Sequence, residues 1–371
     1  MVSDFNSTDD AKVSMFYESQ SNKKNDEFEI NNLKYVKIPT SSNFKSHSKI
    51  LRPSFFKPLT NDFQLGDILM IPDPNPIEKY LSEIQHPLHL KHRRYHNSKG
   101  ISVILSCPIS KEAPLKKGVL LLHGHGGHKN YIYMSKLDEL LTQLGYHVLR
   151  LDFRGLGNSE DCADVKKGRM LYQDLEDIET CYLFLKDIVQ VPLDTVIAHS
   201  RGVIPMFKFQ MLLETKYNEF IPNLVNCAGR YENHELKAKI VRENPSWETD
   251  KGFWAKTLRF GKIQDVFIPY EESMSIISVD SNSFANIDKR CKVLSVYGRK
   301  DHIVPTTAAK QFEELLEQRH SLIWIDDADH NFYGIVNDDA NNPLGLPMKR
   351  GKINYNPLVA KKVAEHLATQ K

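Results

Sequence analysis

Short apolar runs alternate along the chain with longer stretches in which apolar residues recur at three- and four-residue spacing. A run that is apolar throughout is typical of a strand buried on both faces of a parallel sheet, and amphipathic stretches between such runs predict crossover helices. The strand candidates are Gly118–Leu122, Tyr146–Asp152, Thr195–His199, Asn223–Cys227, Val293–Gly298 and Leu322–Ile325. The helix candidates are Tyr131–Leu144, Arg169–Val189, Arg201–Glu214, Thr306–Gln318 and Pro357–Thr369. The pattern predicts an α/β fold with a mostly parallel central sheet and helices on both faces.

One apolar run ends at a serine that has a small residue two positions to either side. The run leads through Ala198 and His199 to Ser200, and Gly202 opens the next helical pattern. This layout is typical of a nucleophile elbow, a strand–turn–helix unit in which the backbones approach closely. The usual motif is Gly-x-Ser-x-Gly, and alanine at its first position is the mildest departure. The motif predicts Ser200 as a nucleophile.

The glycine-rich turn after the first buried strand predicts a site that binds an oxyanion. The residues from His123 to Gly127 read His-Gly-His-Gly-Gly, which lets the backbone bend so that an amide points into a cleft. An acyl-transfer enzyme needs fixed donors for the charge that develops on the carbonyl oxygen. The backbone N–H groups of His125 and of Arg201, the residue after the serine, are the predicted donors.

Two further candidates follow later strands. Asp301 lies in the loop after the strand that ends near Gly298, and His330 follows the strand that ends near Ile325. Sites in open α/β sheets assemble at this carboxyl edge. The chain order Ser200, Asp301, His330 is the order of the α/β-hydrolases.

Each of these assignments has an alternative. Glu232 follows the preceding strand and is a rival to Asp301 as the acid, while Asp301 is also a good residue type for capping a helix. His302 is interpreted as a solvated loop residue. The side chain of Arg201 contacts either an anionic substrate or a structural carboxylate, and the second is favoured.

Taken together, these motifs resemble those of the α/β-hydrolases. The motifs that carry the resemblance are His123–Gly127, Asp-Phe-Arg-Gly-Leu-Gly-Asn-Ser at Asp152–Ser159, Ala198–Gly202, and the segments around Asp301 and His330. The chain is most similar to the feruloyl-esterase-like and monoacylglycerol-lipase-like branch, especially its fungal and plant members, over roughly residues 90–370. The resemblance implies a serine esterase or related hydrolase, without implying a particular substrate.

Composition excludes several other classes. The chain has 371 residues, 41% of them hydrophobic, and a net charge of +2, which gives no basis for binding nucleic acid. Five scattered cysteines and an N-terminus without a secretory pattern predict a reducing, cytoplasmic location. No apolar stretch is long enough to span a membrane. The histidines near His123 lack a fourth ligand at zinc-like spacing, so we expect no metal and no other cofactor.

The sequence also predicts a division of the chain. Residues 1–60 are rich in Ser, Asn, Asp and Lys and predict a disordered tail, and residues 61–92 predict an extended N-terminal arm. We assign the α/β-hydrolase domain to residues 93–371. At its start, Arg94–Asn97 and Ile101–Ile109 flank a turn signal and predict a hairpin.

Residues 231–289, named here the cap segment, exceed what one crossover helix needs and predict a cap over the site. Aromatic residues alternate in it with basic ones such as Lys237 and Arg242. An apolar underside would exclude water and hold an acyl or aromatic group, with Trp254 and Tyr231 as predicted substrate contacts. Packing of the cap segment on the core is the alternative role for these aromatic residues. If the basic residues cluster, an anionic substrate is favoured.

The sequence therefore predicts a serine hydrolase that cleaves a carboxylic ester, thioester or acylglycerol through an acyl-enzyme on Ser200, with Asp301 and His330 as its partners. The predicted partner is a small ester with an apolar acyl or aromatic group. Two alternatives remain open at this point, namely an acyltransferase that uses the same three residues and a binding protein without catalysis.

Overall fold

The computed structural model describes residues 63–65, 68–72, 84–92, 99–108, 115–335 and 350–370, and the predicted tail 1–60 lies outside these residues. The strands are β1 (Phe63–Leu65), β2 (Ile68–Pro72), β3 (Gln85–His92), β4 (Ile101–Ser106), β5 (Gly118–Leu122), β6 (His147–Leu151), β7 (Leu193–His199), β8 (Asn223–Cys227), β9 (Gly252–Arg259), β10 (Lys262–Pro269), β11 (Lys292–Gly298), β12 (His320–Ile325), β13 (Tyr333–Ile335) and β14 (Arg350–Asn354).

The helices follow the strands in the alternation that the pattern predicts. They are α1 (Met134–Gln143), α2 (Leu171–Leu183), α3 (Val203–Tyr217), α4 (Glu235–Glu243), α5 (Tyr270–Ile277), α6 (Thr307–Leu316) and α7 (Asn356–Ala368). A π-helical turn, Phe184–Val189, extends α2, and 3₁₀ turns cover Ser200–Gly202, Ser281–Asn286 and Glu317–Arg319. The helix predictions agree with these bounds to within a few residues, apart from α2, whose π-helical extension the sequence pattern did not separate.

Ten of the described strands form one sheet in the order β1-β2-β3-β4-β6-β5-β7-β8-β11-β12. The five junctions from β6 to β12 are parallel, and those from β1 to β6 are antiparallel. Strands β5, β7 and β8 are buried along their whole length, as expected for a sheet covered on both faces. The fold prediction is therefore confirmed, and the carboxyl ends of β5, β7, β8, β11 and β12 meet along one edge.

The hairpin predicted at the start of the domain has a different first strand. β4 pairs antiparallel with Gln85–His92, and the predicted partner Arg94–Asn97 lies outside the described residues. Gly100 adopts φ +86°, and a Cβ there would lie 2.4 Å from the Leu90 carbonyl oxygen, so the turn into β4 requires glycine. The histidines and proline of β3 hide its strand pattern, which is why the sequence placed it in an extended arm.

The cap segment contains α4, the antiparallel β9–β10 hairpin and α5. Its own small core consists of Ile240, Trp247 and Ile277, with the Trp247 and Tyr270 rings 4.7 Å apart. These apolar residues therefore pack against each other within the cap segment, whereas the packing alternative placed them against the core. None of the helices in the described parts of the chain is long and apolar enough to cross a membrane.

Candidate active site

Ser200 lies in a tight turn at the sheet's carboxyl edge, between the end of β7 and the start of α3. Its backbone has φ +52°, a left-handed conformation that is costly for a residue with a side chain. A Cβ on Gly202 would lie 2.7 Å from the carbonyl oxygen of His123. The turn therefore presses the start of α3 against the β5 loop, and this contact explains why the position after Arg201 is glycine.

Three predicted residues meet at this turn. His330 Nε2 lies 2.9 Å from Ser200 Oγ, and His330 Nδ1 lies 2.8 Å from Asp301 Oδ2. The His330 and Asp301 side chains are 8% and 0% exposed. Both contacts have hydrogen-bond length, and an Asp301 carboxylate that accepts from Nδ1–H leaves Nε2 free to accept from the serine hydroxyl.

The loop after β11 fixes Asp301 through its second oxygen. Asp301 Oδ1 accepts hydrogen bonds from the backbone amides of Ile303 at 2.8 Å and Val304 at 2.9 Å. Helix α6 begins at Thr307 with Thr306 at its N-cap position, so Asp301 does not cap that helix. The carboxylate instead closes its own loop, which holds its other oxygen towards His330.

Glu232, the rival acid, points elsewhere. One of its carboxylate oxygens accepts from the Gln311 side chain at 2.9 Å, and the other lies 3.2 Å from Nδ1 of His234. His302 is exposed in the loop next to Asp301, in agreement with its interpretation as a solvated residue. Among the carboxylates of the described residues, Asp301 is the one hydrogen-bonded to His330.

The loop after β5 passes directly beside Ser200. A Cβ on Gly124 would lie 3.0 Å from Ser200 Cβ and 3.1 Å from the carbonyl oxygen of His199, so a larger residue there would press on the serine turn. His125 follows, and its backbone N–H together with that of Arg201 are the predicted oxyanion donors. The contact at Gly124 places this loop against Ser200, and the role of the two amides stays a prediction.

His123 is a structural residue of the same loop. It is fully buried, its Nδ1–H donates to the Gly124 carbonyl oxygen at 2.9 Å, and its Nε2 accepts from the Phe153 amide at 3.1 Å. Burial lowers the pKa of His123 to about 3, which keeps the ring neutral. Because both ring nitrogens are engaged, His123 has no nitrogen to offer to a metal ion.

A second buried histidine, His199, packs next to His330. The ring of His199 lies 5.1 Å from that of His330 and packs edge-on against Tyr133 and Phe332. Its Nε2 lies 3.3 Å from the side-chain oxygen of Asn331. Burial lowers the pKa of His199 well below its ordinary value. The wall behind His330 is therefore aromatic and uncharged.

The side chain of Arg201 turns away from the serine into a buried group of four charges, named here the charge network. Arg201 lies 3.0 Å from Glu272 and 3.4 Å from Asp174, and Arg169 lies 2.6 Å from Asp174. Glu272 also accepts from the Arg169 amide at 2.9 Å. The two arginines and two carboxylates balance, so the structure bears out the structural alternative for the Arg201 side chain.

A groove lies beside His125, between the segment after β6 and the cap hairpin. Its apolar lining comes from Leu156, Val266, Phe267 and Ile268. Trp254, a predicted substrate contact, is 69% exposed, and its ring packs edge-on against Phe267 at 5.4 Å, next to this lining. The role of Trp254 in substrate binding stays a prediction.

Tyr231, the other predicted substrate contact, has contacts that explain it as a packing residue. Its hydroxyl group donates to Asn282 at 2.7 Å, and its ring meets Phe312 edge-on at 5.1 Å. Asn282 belongs to the 3₁₀ turn Ser281–Asn286, and Phe312 belongs to α6. We therefore do not carry Tyr231 forward as a substrate contact.

Sequence reasoning missed the charge network. Arg169 and Glu272 are 103 residues apart, and neither stands in a recognisable motif. A carboxylate at the start of α5 is ordinary for the first turn of a helix, so no local signal marks Glu272 as buried. The pairing depends on how the cap segment returns to the core, which the sequence pattern does not encode.

The strand order, the elbow and the grouping of three side chains at the carboxyl edge define an α/β-hydrolase fold. Est1E from Butyrivibrio proteoclasticus has this fold and aligns with a TM-score of 0.50 and 17% identity over 73% of this chain and 95% of its own. A structure of Est1E with ferulic acid bound aligns with a TM-score of 0.51 and 17% identity, over 73% and 96%. These likenesses concern the fold.

The chain belongs to the same family as the uncharacterized protein YDL057W of Saccharomyces cerevisiae. The two sequences are 45% identical over 260 residues, which is 68% of this chain and 79% of the yeast protein. No protein-family model matches the chain.

Proposed function

We propose that the protein is a serine hydrolase that cleaves a carboxylic ester through an acyl-enzyme on Ser200. The observation that carries this proposal is the continuous hydrogen-bonded series from Ser200 through His330 to Asp301, with lengths of 2.9 Å and 2.8 Å. A serine hydroxyl is a weak nucleophile until an adjacent base accepts its proton, and His330 is the base that we propose.

The first half of the reaction forms the acyl-enzyme. Ser200 Oγ attacks the ester carbonyl while its proton passes to His330 Nε2, and Asp301 stabilises the imidazolium that results. The carbonyl oxygen becomes an oxyanion, and the amides of His125 and Arg201 donate to it. The C–O bond to the alcohol then breaks as His330 returns the proton to the leaving oxygen.

The second half releases the acid. A water molecule gives a proton to His330 and attacks the acyl carbonyl, and collapse of the second tetrahedral intermediate returns the proton to Ser200. The groove lined by Leu156, Val266 and Phe267 provides an apolar surface for an acyl or aromatic group, with Trp254 at its rim. A small ester with such a group is the substrate class that we propose.

The test is hydrolysis of a panel of chromogenic esters by wild type and by Ser200→Ala. We expect a loss of at least about a thousandfold in kcat, because the covalent route is removed. Ser321→Ala, an exposed serine on β12, is the matched control and should retain wild-type rates. Ester hydrolysis that survives in a folded Ser200→Ala protein would contradict the proposal.

A further inference from the structure

His125 is the polar side chain of the groove whose hydrogen-bonding atoms all lack a partner. The residue is exposed and belongs to the groove lining, and its ring forms no hydrogen bond or ion pair within the described residues. Each of the other polar side chains in this lining has a hydrogen-bond or ion-pair partner, as Arg259 has in Asp161 at 2.5 Å. The imidazole of His125 is therefore available to a ligand in the groove.

The loop after β5 places His125 next to the proposed nucleophile. A Cβ on Gly124 would lie 3.0 Å from Ser200 Cβ, and His125 is the next residue along the chain. The carbonyl oxygen of Gly126 then accepts from the hydroxyl group of Thr257, on the cap hairpin, at 3.5 Å. The loop thus lies between the serine turn and the cap hairpin, and His125 lies where the groove meets the proposed site of bond making.

Arg169 supplies a second unpaired donor at the same end of the groove. Its Nη1 donates to the Gly124 carbonyl oxygen at 3.3 Å and its Nε lies 2.6 Å from Asp174, while its buried Nη2 has no hydrogen-bond partner within the described residues. Glu272, the carboxylate of this part of the lining, already lies 3.0 Å from Arg201 and 2.9 Å from the Arg169 amide. Within the lining, donors therefore outnumber free acceptors, and a buried donor without an acceptor costs free energy.

We propose that the ring of His125 donates a hydrogen bond to an uncharged oxygen of the acyl group, so that the substrate is an apolar ester with a hydroxyl, ether or carbonyl oxygen a few bonds from the reacting carbonyl. The inference rests on the proposed function, since it narrows the substrate class of that same site. A neutral imidazole has one donor and one acceptor nitrogen, which suits an uncharged oxygen. The charges of Arg169 and Arg201 are already matched in the charge network, which disfavours an anion as the partner.

The test uses three nitrophenyl esters whose acyl chains have the same length. They are the pentanoate, the ethoxyacetate and the β-methoxypropanoate, in which one methylene of pentanoate is replaced by oxygen at either of two positions. Each kcat/KM is divided by the rate of hydroxide hydrolysis of the same ester, which removes differences in intrinsic reactivity. We expect wild type to prefer at least one of the two ethers over pentanoate at about pH 7.5, where the ring is neutral.

His125→Phe keeps the backbone amide and removes the ring nitrogens. Any effect of this substitution on the backbone acts on all three esters alike, so the ratio of the preferred ether to pentanoate reports on the ring. We expect this ratio to fall by about fivefold, the effect of one neutral hydrogen bond. His125→Gln should keep most of the ratio, because its amide also donates.

His234→Phe is the matched control, because it makes the same substitution at an exposed histidine that is not part of the groove lining. It should leave the ratio unchanged. A wild type without preference for either ether, an unchanged ratio in His125→Phe, or an equal fall in His234→Phe would each overturn the inference. A wild type that labels with a fluorophosphonate at Ser200 but prefers neither ether refutes this inference alone. A wild type that neither labels nor hydrolyses any of the esters refutes the proposed function as well.

Discussion

The cap segment and the two loops around Ser200 are held in place by different kinds of contact. The loops touch through backbone, where a Cβ on Gly202 would meet a carbonyl oxygen at 2.7 Å and one on Gly124 would meet Ser200 at 3.0 Å. The cap segment is tied to the core by buried side chains, Glu272 and Arg259 among them, and by a backbone hydrogen bond from the Phe260 amide to the Gly157 carbonyl oxygen at 3.0 Å. An added side chain at these glycines would meet backbone or Ser200 itself, whereas a substitution in the cap segment removes a side-chain contact without forcing the loops apart.

The residues proposed for bond making and the apolar lining proposed to hold the substrate lie in these two different regions. The proposed nucleophile, base and acid all come from the carboxyl edge of the central sheet. The apolar groove lining comes largely from the cap hairpin, which forms a sheet of its own outside the central sheet. Apart from the ring of His125, we expect substitutions in the loops to change kcat, and those in the cap segment to change substrate preference or stability.

The largest effect is expected at the acid. In Asp301→Asn the amide can still accept from Ile303 and Val304, but its NH₂ group faces His330 and forces the tautomer with the proton on Nε2. His330 then cannot accept from Ser200, and kcat should fall by about 10³ to 10⁴ with the fold intact. Glu232→Gln is the matched control for the rival acid and should keep wild-type kcat. Steady-state kinetics measures kcat of both variants, and circular dichroism checks that each is folded. Equal losses of kcat in the two variants would contradict the assignment of Asp301 as the acid.

A pair of glycine variants tests the backbone contact directly. Gly202→Ala places a methyl group against the carbonyl oxygen of His123, which cannot move without shifting the β5 loop. We expect at least about a hundredfold loss of kcat/KM from misplacement near the nucleophile. Gly261→Ala, in the cap hairpin, has φ +72° and nothing within 4 Å, so it should cost only about 1 kcal/mol of strain and keep activity. Full activity in Gly202→Ala would show that the loops are more plastic than this contact implies.

The next largest effect is expected in the charge network, where a substitution should lower the free energy of unfolding. Glu272→Gln leaves Arg201 and Arg169 with one carboxylate between them in a buried site. Removing one partner of such a group should lower the free energy of unfolding by about 3 kcal/mol. Glu271→Gln, its exposed neighbour, should change that free energy by less than about 0.5 kcal/mol. Urea denaturation measures both, and equal values would mean that the network contributes nothing to holding the cap segment.

The smallest effect concerns acid stability. His123 has a pKa of about 3 in the folded protein, below its ordinary value of 6.5. Between these values the unfolded chain binds a proton that the native chain does not, so the free energy of unfolding decreases as pH falls below about 6.5. At about pH 5 this histidine accounts for about 2 kcal/mol of the loss.

His123→Asn should therefore be less stable than wild type at neutral pH but lose less stability on acidification. His302→Asn, the same substitution at an exposed site, should keep the wild-type pH dependence. Denaturation series at about pH 5 and about pH 7.5 compare the three proteins. A wild-type slope in His123→Asn would mean that the native ring is protonated in this range.

The parts of the molecule that the sequence predicts are those with a local physical cause. Apolar runs identify the parallel strands, and Ala198, Ser200 and Gly202 identify the elbow because close backbones admit only small residues. Asp301 and His330 could be placed because each directly follows a strand of the sheet. The sequence did not identify β3 as a strand, because histidines and a proline mask its alternation.

The parts that the sequence did not predict depend on contacts between residues that are far apart in the sequence. Glu272 lies in the cap segment, and the residues that it contacts, Arg169 and Arg201, stand far away in the sequence. Tyr231 was predicted to contact substrate for its aromatic character, and its contacts with Asn282 and Phe312 explain it otherwise.

The most direct test of the central claim is to react the protein with a fluorophosphonate and map the adduct by mass spectrometry. The account predicts one adduct per chain, on the peptide that contains Ser200, with none in Ser200→Ala and much slower labelling in His330→Ala. Ser321→Ala should label like wild type. An adduct on another residue that persists in Ser200→Ala, or no adduct on a folded wild-type protein, would contradict the proposal of an activated serine at this site.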